Sequence, residues 1–331
     1  MSLCYFTRGY IVVDEKPFRS YNEQLDILKS RGMKVYSDEI VMKILQKENY
    51  YNVINGYKDL FLATKQTETT EERYKSGTYF SEVYGVYKFD CELKSIFLKR
   101  ILRIENNVKT AIAYNFSYKY REKNNLVIDN FDLKPMGRES KEDRYCNVMS
   151  LITRIQGEIG RQIKCHSSIK HYMLEYGYVP LWVTMNVLTF GTVSLFYKYM
   201  KQSDKQLIAK EYKTSEIELT LILKVLSLVR NLCAHDERLY NFKTKDSIRN
   251  NWIHKKLMIP KGESGYLYGR NDLYAILICI RLLTNKEETN EIISEINTEL
   301  KVLEKELKVI KIDSILSAMG LPKDWYKLQE I

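Results

Sequence analysis

Apolar residues recur at three- and four-residue spacing over most of this chain, the pattern of amphipathic α-helices. The longest such segment begins at Phe80, and its core stripe is traced by Leu93, Ile96, Phe97, Ile101, Ile104, Val108 and Ala111 or Ile112. Further helices are predicted at about 146–174, 180–200, 204–211, 215–238 and 273–283. Only 5 Pro and 14 Gly in 331 residues disfavour a turn-rich β-sandwich. The pattern predicts an all-α fold.

The N-terminal part of the chain predicts two short helices within residues 16–62. Ser20 is a candidate N-cap with Glu23 as its capping-box partner, Gly32 closes this helix, and a second helix starts at Ser37. The pair is more typical of plain helical packing than of a nucleic-acid-reading unit. The polar segment ATKQTETTEERYKSGT, residues 63–78, is predicted to be a surface loop or a boundary. We therefore expect an N-terminal helical subdomain over 1–75 and a helical domain over 76–331.

Two later segments carry apolar faces that leave alternatives open. Residues 176–197 are uncharged over a membrane-spanning length, yet they contain Pro180 and several Thr, Ser and Asn residues. A buried core helix is favoured there over a transmembrane span. The last long helix carries a heptad-like apolar row from Ile293 to Ile310. That row would pack onto the same chain's bundle or, less favourably, onto a second protomer.

The charge and the cysteines limit the partners and the compartment. A formal net charge of +10 suggests an anionic partner such as RNA, DNA or a membrane surface. An AT-rich genome would also enrich lysine, so charge alone does not identify the partner. The 6 cysteines form no CxxC pair, and the first 20 residues lack a secretory signal. We expect a reduced, cytoplasmic protein that does not associate with membranes.

Most common chemical motifs are missing from the sequence. It contains no GxxxxGK[ST] phosphate loop, no GxGxxG dinucleotide loop and no GxSxG elbow. Cys165, His166 and His171 lie close together, but no acidic third ligand accompanies them, so a solvated helix face is the favoured interpretation. His254 has basic neighbours and no motif around it. We therefore expect neither a metal nor an organic cofactor.

One polar cluster follows directly on an apolar helix. The segment RNLCAHDERLYN, residues 230–241, presents Arg230, Asn231, His235 and Arg238 after the apolar run 217–229. Asn231 and His235 are four residues apart, so on a helix they share a face, and the Asn231 amide could orient the imidazole. Arg230 would lie about 140° around the helix from His235.

This pair of residue types suits cleavage of an RNA phosphodiester. Histidine exchanges protons near neutral pH, which is needed to activate a 2′-hydroxyl and to protonate the leaving 5′-oxygen. Arginine offers a rigid fork of donors to the phosphate as charge builds on its oxygens. A full acid–base cycle is better served by two histidines, so one motif per chain points to a site shared across a twofold axis. By spacing alone, a helix-end histidine beside a surface arginine is the favoured interpretation.

The wider string resembles a known family. RNLCAHDERLYN resembles the R-N-x-C-A-H-x-x-R-L-x-N signature of abortive-infection (Abi) proteins of the AbiD/AbiF type, a branch of the HEPN superfamily. Three other segments are similar to the same family: KPFRSYNEQLDILKSRGM with NYYNVINGY, VPLWVTMNVLTFGTVSLFYKYM, and SAMGLPKDW. The resemblance implies a HEPN-type helical bundle with an N-terminal helical extension, usually dimeric. It also implies metal-independent RNA cleavage in defence against phage.

The resemblance gives each matching residue an expected role. Arg230 would stabilise the phosphate, His235 would be the acid–base residue, and Asn231 matches the polar position inside the motif. Arg103 and Glu105 match a charged pair on an earlier family helix and, with Arg238, would bind RNA or brace the site. An internal ion pair between Arg103 and Glu105 is the competing interpretation.

Three functions remain open at this point. The favoured one is a dimeric endoribonuclease toxin, controlled by a small structured RNA. The second is a defence protein that grips a structured RNA without cutting it, since some HEPN domains do not cleave. The third is a helical scaffold or membrane-associated effector that uses residues 176–197.

Overall fold

The computed structural model describes residues 17–67, 70–235, 237–263 and 265–331, and helices dominate it. The chain is 65% helical with only 4% strand, so the all-α prediction is confirmed. Cys4, residues 1–16 of the segment considered for a secretory signal, and Asp236 lie outside the described residues. Within the described ranges, every helix is too short or too polar to cross a membrane. Contacts divide the chain into two compact units, Met1–Tyr84 and Gly85–Ile331, and the domain assignment 1–75 and 76–331 stays a prediction.

The first unit starts with the two predicted helices, α1 (Tyr21–Ser30) and α2 (Asp38–Glu48). Ser20 and Glu23 form the expected capping box, and Ser37 caps α2 through the Ile40 N–H. A π-helical turn (Tyr51–Asn55) and a 3-10 turn (Lys58–Leu60) follow. The antiparallel strands β1 (Leu62–Thr64) and β2 (Arg73–Tyr74) then fall partly inside the predicted loop 63–78, which is therefore wrong in part.

The second unit is built from helices, and the first of them begins at the end of the first unit. The helices are α3 (Phe80–Tyr120), α4 (Lys141–Gln162), α5 (Ser167–Tyr176), α6 (Leu181–Thr184), α7 (Phe190–Tyr199), α8 (Gln202–Glu211), α9 (Glu216–Ala234), α10 (Trp252–Lys256), α11 (Leu273–Leu283), α12 (Lys286–Glu306) and α13 (Ile312–Met319). Short 3-10 turns lie at Ile128–Asn130, Met185–Val187 and Trp325–Glu330. A small hairpin pairs β3 (Lys261–Gly262) with β4 (Gly265–Tyr266).

Three predicted helices end or break earlier than expected. The segment 146–174 is two helices, α4 and α5, and the segment 180–200 is interrupted between α6 and α7. Thr189 causes the second break, because its hydroxyl accepts the Thr192 N–H at 3.3 Å and so starts α7 as an N-cap. The predicted helix 215–238 ends at Ala234.

Helix α9 lies in the centre of the second unit, in contact with α7, α8 and α11. Nearly every side chain of α11 is buried, and the stripe predicted on α3 is buried at Leu93, Phe97, Ile101 and Ile104. The apolar row of α12 is buried within this chain from Ile293 to Leu303, as the same-chain interpretation expected. Since its neighbours fix α9 on several sides, the residues at its C-terminal end are delivered to a defined place.

Candidate active site

The sequence motif straddles the C-terminal end of α9. Ser215 starts this helix by accepting the Glu218 N–H at 3.2 Å, and one face of the helix is buried as far as Leu232 and Cys233. Arg230 lies in the last two turns, with a side chain that is 30% exposed. His235 is the exposed residue that ends the helix. Residues 230–235 therefore include both side chains buried in the core, Leu232 and Cys233, and the solvent-exposed His235.

Asn231 and His235 are joined through the backbone. The His235 N–H donates to the Asn231 carbonyl at 2.9 Å, and both side chains are exposed. Within the described ranges, no side-chain hydrogen bond joins the two residues, so the orienting role expected for the Asn231 amide is not seen in this state. The backbone bond still fixes where the imidazole leaves the helix.

A buried carboxylate on α3 lies against Arg230. The Nε atom of Arg230 is 3.6 Å from Oε2 of Glu105, whose side chain is almost fully buried. Both of these atoms are buried, and within the described part of the chain neither has a hydrogen-bond partner. A movement of less than about 1 Å would bring them to hydrogen-bond distance. The other carboxylate oxygen, Oε1, pairs with Nζ of Lys109 at 2.7 Å. Glu105 thus lies between Lys109 and Arg230, and it braces the Arg230 side chain from the buried side.

Arg103 is directed to a different part of the unit. It pairs with Glu288 of α12 at 3.0 Å, and its side chain is 64% exposed. Residues two apart on a helix point about 200° apart, which explains why Arg103 and Glu105 diverge. The interpretation that Arg103 and Glu105 form an ion pair with each other is therefore wrong. Of the two residues, Glu105 is the one that the fold brings to Arg230.

A second carboxylate on α3 holds the segment that follows His235. Asp90 is fully buried and accepts the backbone N–H groups of Leu239 at 3.1 Å and Tyr240 at 2.7 Å. Sequence reasoning missed this residue, although a signal was present. Asp90 lies at helical spacing between the apolar residues Val86 and Leu93, and a carboxylate on a core stripe needs partners inside the protein.

The remaining residues of the motif divide between core and surface. Cys233 is buried, and burial, followed by the nearby negative charge of Asp90, raises the pKa of its thiol to about 12. A thiol held in its neutral form is a packing group rather than a nucleophile. Arg238 is exposed. Among the polar residues of the motif that the structure describes, Asn231, His235, Glu237 and Arg238 are exposed, and Arg230 is partly exposed.

The other three histidines have structural or surface positions. His254 is buried, its Nε2–H donates to the Gly269 carbonyl at 2.7 Å, and its Nδ1 accepts the Asn251 N–H at 3.3 Å. Burial lowers the pKa of this imidazole. His166 is the N-cap residue of α5, and the exposed His171 packs edge-on against Tyr172 of the same helix. In the described part of the chain, His, Cys, Asp and Glu side chains form no cluster suited to a metal ion.

Comparison with known proteins bears on this site. The model of a family described as Abi-like protein matches residues 43–241, well over half of the 331-residue chain. The matched region contains Asp90, Glu105, Arg230 and His235. No curated protein and no solved structure matches the chain.

Proposed function

This chain belongs to the Abi-like protein family, whose role is abortive infection as a defence against phage. On that premise we propose that it is a metal-independent endoribonuclease of the HEPN type. The observation that carries the proposal is the pairing of Arg230 with the buried Glu105. Arg230 lies five residues before His235, the exposed histidine at the end of α9. The substrate is RNA in the cytoplasm. Neither step of the reaction needs a metal ion or a cofactor.

Arg230 is suited to the phosphate. Glu105 holds the Nε side of the guanidinium, while the side chain stays 30% exposed. A guanidinium braced from one side loses little conformational freedom when it binds an anion from the other side. Such preorganised donors favour the transition state, in which negative charge grows on the phosphoryl oxygens.

His235 is suited to proton transfer. As general base, the imidazole takes the proton of a 2′-hydroxyl, and the 2′-oxygen attacks the adjacent phosphorus. The bond from phosphorus to the 5′-oxygen breaks, and a protonated imidazole gives that oxygen its proton. The products are a 2′,3′-cyclic phosphate and a 5′-hydroxyl, so the reaction consumes no water.

The base and the acid act in the same reaction, whereas each chain contributes one motif histidine. We therefore assign the second imidazole to another copy of the chain, in a twofold dimer with the two motifs facing each other. The exposed positions of His235, Asn231 and Arg238 leave these side chains accessible to a partner copy and to RNA. Activity per protomer should then fall on dilution below the dissociation constant of the dimer.

The test is cleavage of a labelled single-stranded RNA in excess EDTA. Wild type should yield 2′,3′-cyclic phosphate ends, and His235→Ala and Arg230→Ala should each lower the rate by about 100-fold or more. His171→Ala, which removes an exposed histidine from α5, should retain the wild-type rate. Equal cleavage by wild type and His235→Ala would refute the assigned role, and loss of cleavage in EDTA would refute the metal-independent reaction.

The second candidate function is binding of a structured RNA without cleavage. The net charge of +10 supports it, because neutralising phosphates supplies affinity in any sequence context. It predicts that wild type binds RNA in a salt-dependent manner, co-purifies with a discrete small RNA and leaves it intact. The Arg230→Ala variant would then lower the affinity, and no cyclic phosphate would form.

A further inference from the structure

A groove of about 430 Å³ begins at Asn106, the residue after Glu105, and follows α3 away from Asp90. One wall is a face of α3 from Asn106 to Tyr118, followed by Glu122 just beyond the helix, and the other wall comes from α6 and the turn after it. At 1.5 Å per residue, the groove follows α3 for about 18 Å. Its volume lies within the roughly 300–1,000 Å³ of typical ligand sites.

Three large aromatic side chains line this groove and remain exposed. Tyr114 is 71% exposed, Tyr118 is 73% exposed, and Trp182 on the opposite wall is 47% exposed. Tyr114 and Tyr118 are four residues apart on α3, so their rings lie on one face, about 6 Å apart along the helix axis. Exposed rings on both walls of one groove suit a planar aromatic ligand, and nucleobases stack on such rings whatever their sequence.

Polar groups accompany the rings. The amides of Asn106 and Asn186 line the groove and are exposed. The Ser117 hydroxyl beside it is buried and, in the described part of the chain, has no hydrogen-bond partner. Serines inside helices commonly bond to the carbonyl four residues earlier, and Ser117 does not. The two exposed amides offer donors and acceptors to the edges of a base.

The charges at the two ends of the groove differ. Lys109 lines the end near the motif, and its ammonium pairs with Glu105, which in turn lies against Arg230. Glu122 lines the far end, where its carboxylate disfavours a phosphate. A strand that enters from the motif would therefore keep its phosphates towards Lys109 and place its bases between the rings.

We propose that this groove, here called the stacking groove and defined by Lys109, Tyr114, Tyr118 and Trp182, binds unpaired bases of the RNA next to the phosphate held by Arg230. The inference rests on the proposed function for its substrate. It adds that the protein selects single-stranded RNA, since paired bases have no free faces to stack. At about 3.4 Å per nucleotide, a strand that runs along this face of α3 spans roughly five nucleotides.

The test measures binding, separately from cleavage. Fluorescence anisotropy would follow a labelled single-stranded RNA of ten nucleotides added to the His235→Ala protein, which leaves the RNA intact. Adding Tyr114→Ala or Trp182→Ala to this background should weaken binding about 5- to 100-fold, and the salt dependence should keep its slope. Lys109→Met should instead reduce that slope, because it removes one phosphate contact.

Matched controls separate stacking from general damage. Tyr145→Ala and Trp252→Ala remove exposed rings outside the groove and should leave the affinity unchanged within about twofold. The same RNA as a blunt duplex, or with its bases removed, should be insensitive to Tyr114→Ala. Sedimentation should show the same oligomeric state for all variants.

Three outcomes would overturn the stacking groove. If Tyr114→Ala and Trp182→Ala bind single-stranded RNA as tightly as the His235→Ala protein that carries neither change, the rings do not contact the bases. If the ring variants lose as much affinity for duplex RNA as for single strands, the groove does not select single-stranded RNA. If these variants dissociate into monomers and keep their affinity for RNA, the groove is a contact between copies of the chain. The proposed function fails separately: its failure is cleavage that does not depend on His235, whatever the groove variants do. Binding that needs the rings, in a protein that never cleaves, would retain the groove and refute the nuclease.

Discussion

Replacing Asp90 by asparagine changes the side chain that holds the backbone of Leu239 and Tyr240, and it leaves every residue of the 230–241 motif in place. In the wild type the two carboxylate oxygens accept separate backbone N–H groups, at 3.1 Å from Leu239 and 2.7 Å from Tyr240. Asparagine has nearly the same shape but only one acceptor oxygen, and its NH₂ group would face the second N–H. One buried donor then loses its partner.

The expected magnitude follows from these two bonds. A hydrogen bond to a charged acceptor stabilises a protein by about 1.5–3 kcal/mol, and the surviving bond weakens to that of a neutral acceptor, about 1 kcal/mol. Removing a buried charge offsets part of the loss. We expect a net loss of about 2 kcal/mol in the free energy of unfolding. For a unit the size of Gly85–Ile331 this corresponds to roughly 4–8 °C in Tm.

Thermal unfolding followed by circular dichroism measures the loss, and hydrogen exchange followed by mass spectrometry locates it. Exchange at Leu239 and Tyr240 should accelerate in Asp90→Asn, whereas exchange in α11 should change little below the transition. The matched control is Asp246→Asn, which removes a carboxylate paired with Lys224 at an exposed position. It should change Tm by no more than about 1 °C. An Asp90→Asn protein with wild-type Tm and wild-type exchange at Leu239 and Tyr240 would refute the reasoning.

Two further predictions concern buried titratable groups. Burial lowers the pKa of His254 in the folded chain, so the unfolded chain binds the proton first as pH falls below about 6.5, and stability should drop by up to about 1.4 kcal/mol per pH unit. His254→Gln should lower Tm at about pH 7.5 and flatten its fall towards pH 5, whereas His171→Gln should keep the wild-type slope. Because Cys233 is buried and its pKa is about 12, it should react with iodoacetamide far more slowly than the exposed Cys146, until urea unfolds the chain. Equal labelling of these two cysteines in the native protein would contradict that value.

Much of the fold could be predicted because its signals are local. Ser20 and Glu23 identify the start of α1, and the three- and four-residue spacing identifies the core stripe of α3. The failures have equally local causes. Thr189 starts α7 inside an apolar run, but threonine is also common within helices, so its capping role was not visible. Strands of two or three residues, such as β2, are too short to show an alternating pattern.

From pattern and spacing, the candidate site was predictable only in the part that one segment carries, and a bracing role for Glu105 was expected only from the family resemblance. Arg230 and His235 lie five residues apart in sequence, whereas Asp90 and Glu105 reach them through tertiary packing. A carboxylate on an apolar stripe does indicate a buried partner, but it does not say which segment supplies it. The stacking groove needed two helices to be placed side by side, and no single stretch of sequence contains that information.

Helix α3 carries the support for Tyr240, the brace for Arg230 and the wall of the stacking groove, in that order along one uninterrupted axis. An inserted or deleted residue between Asp90 and Glu105 would turn everything beyond it by about 100° and shift it by 1.5 Å. Loops elsewhere absorb length changes at little cost. Members of this family should therefore vary in the length of the connection after α3 while keeping the spacing between these two carboxylates fixed.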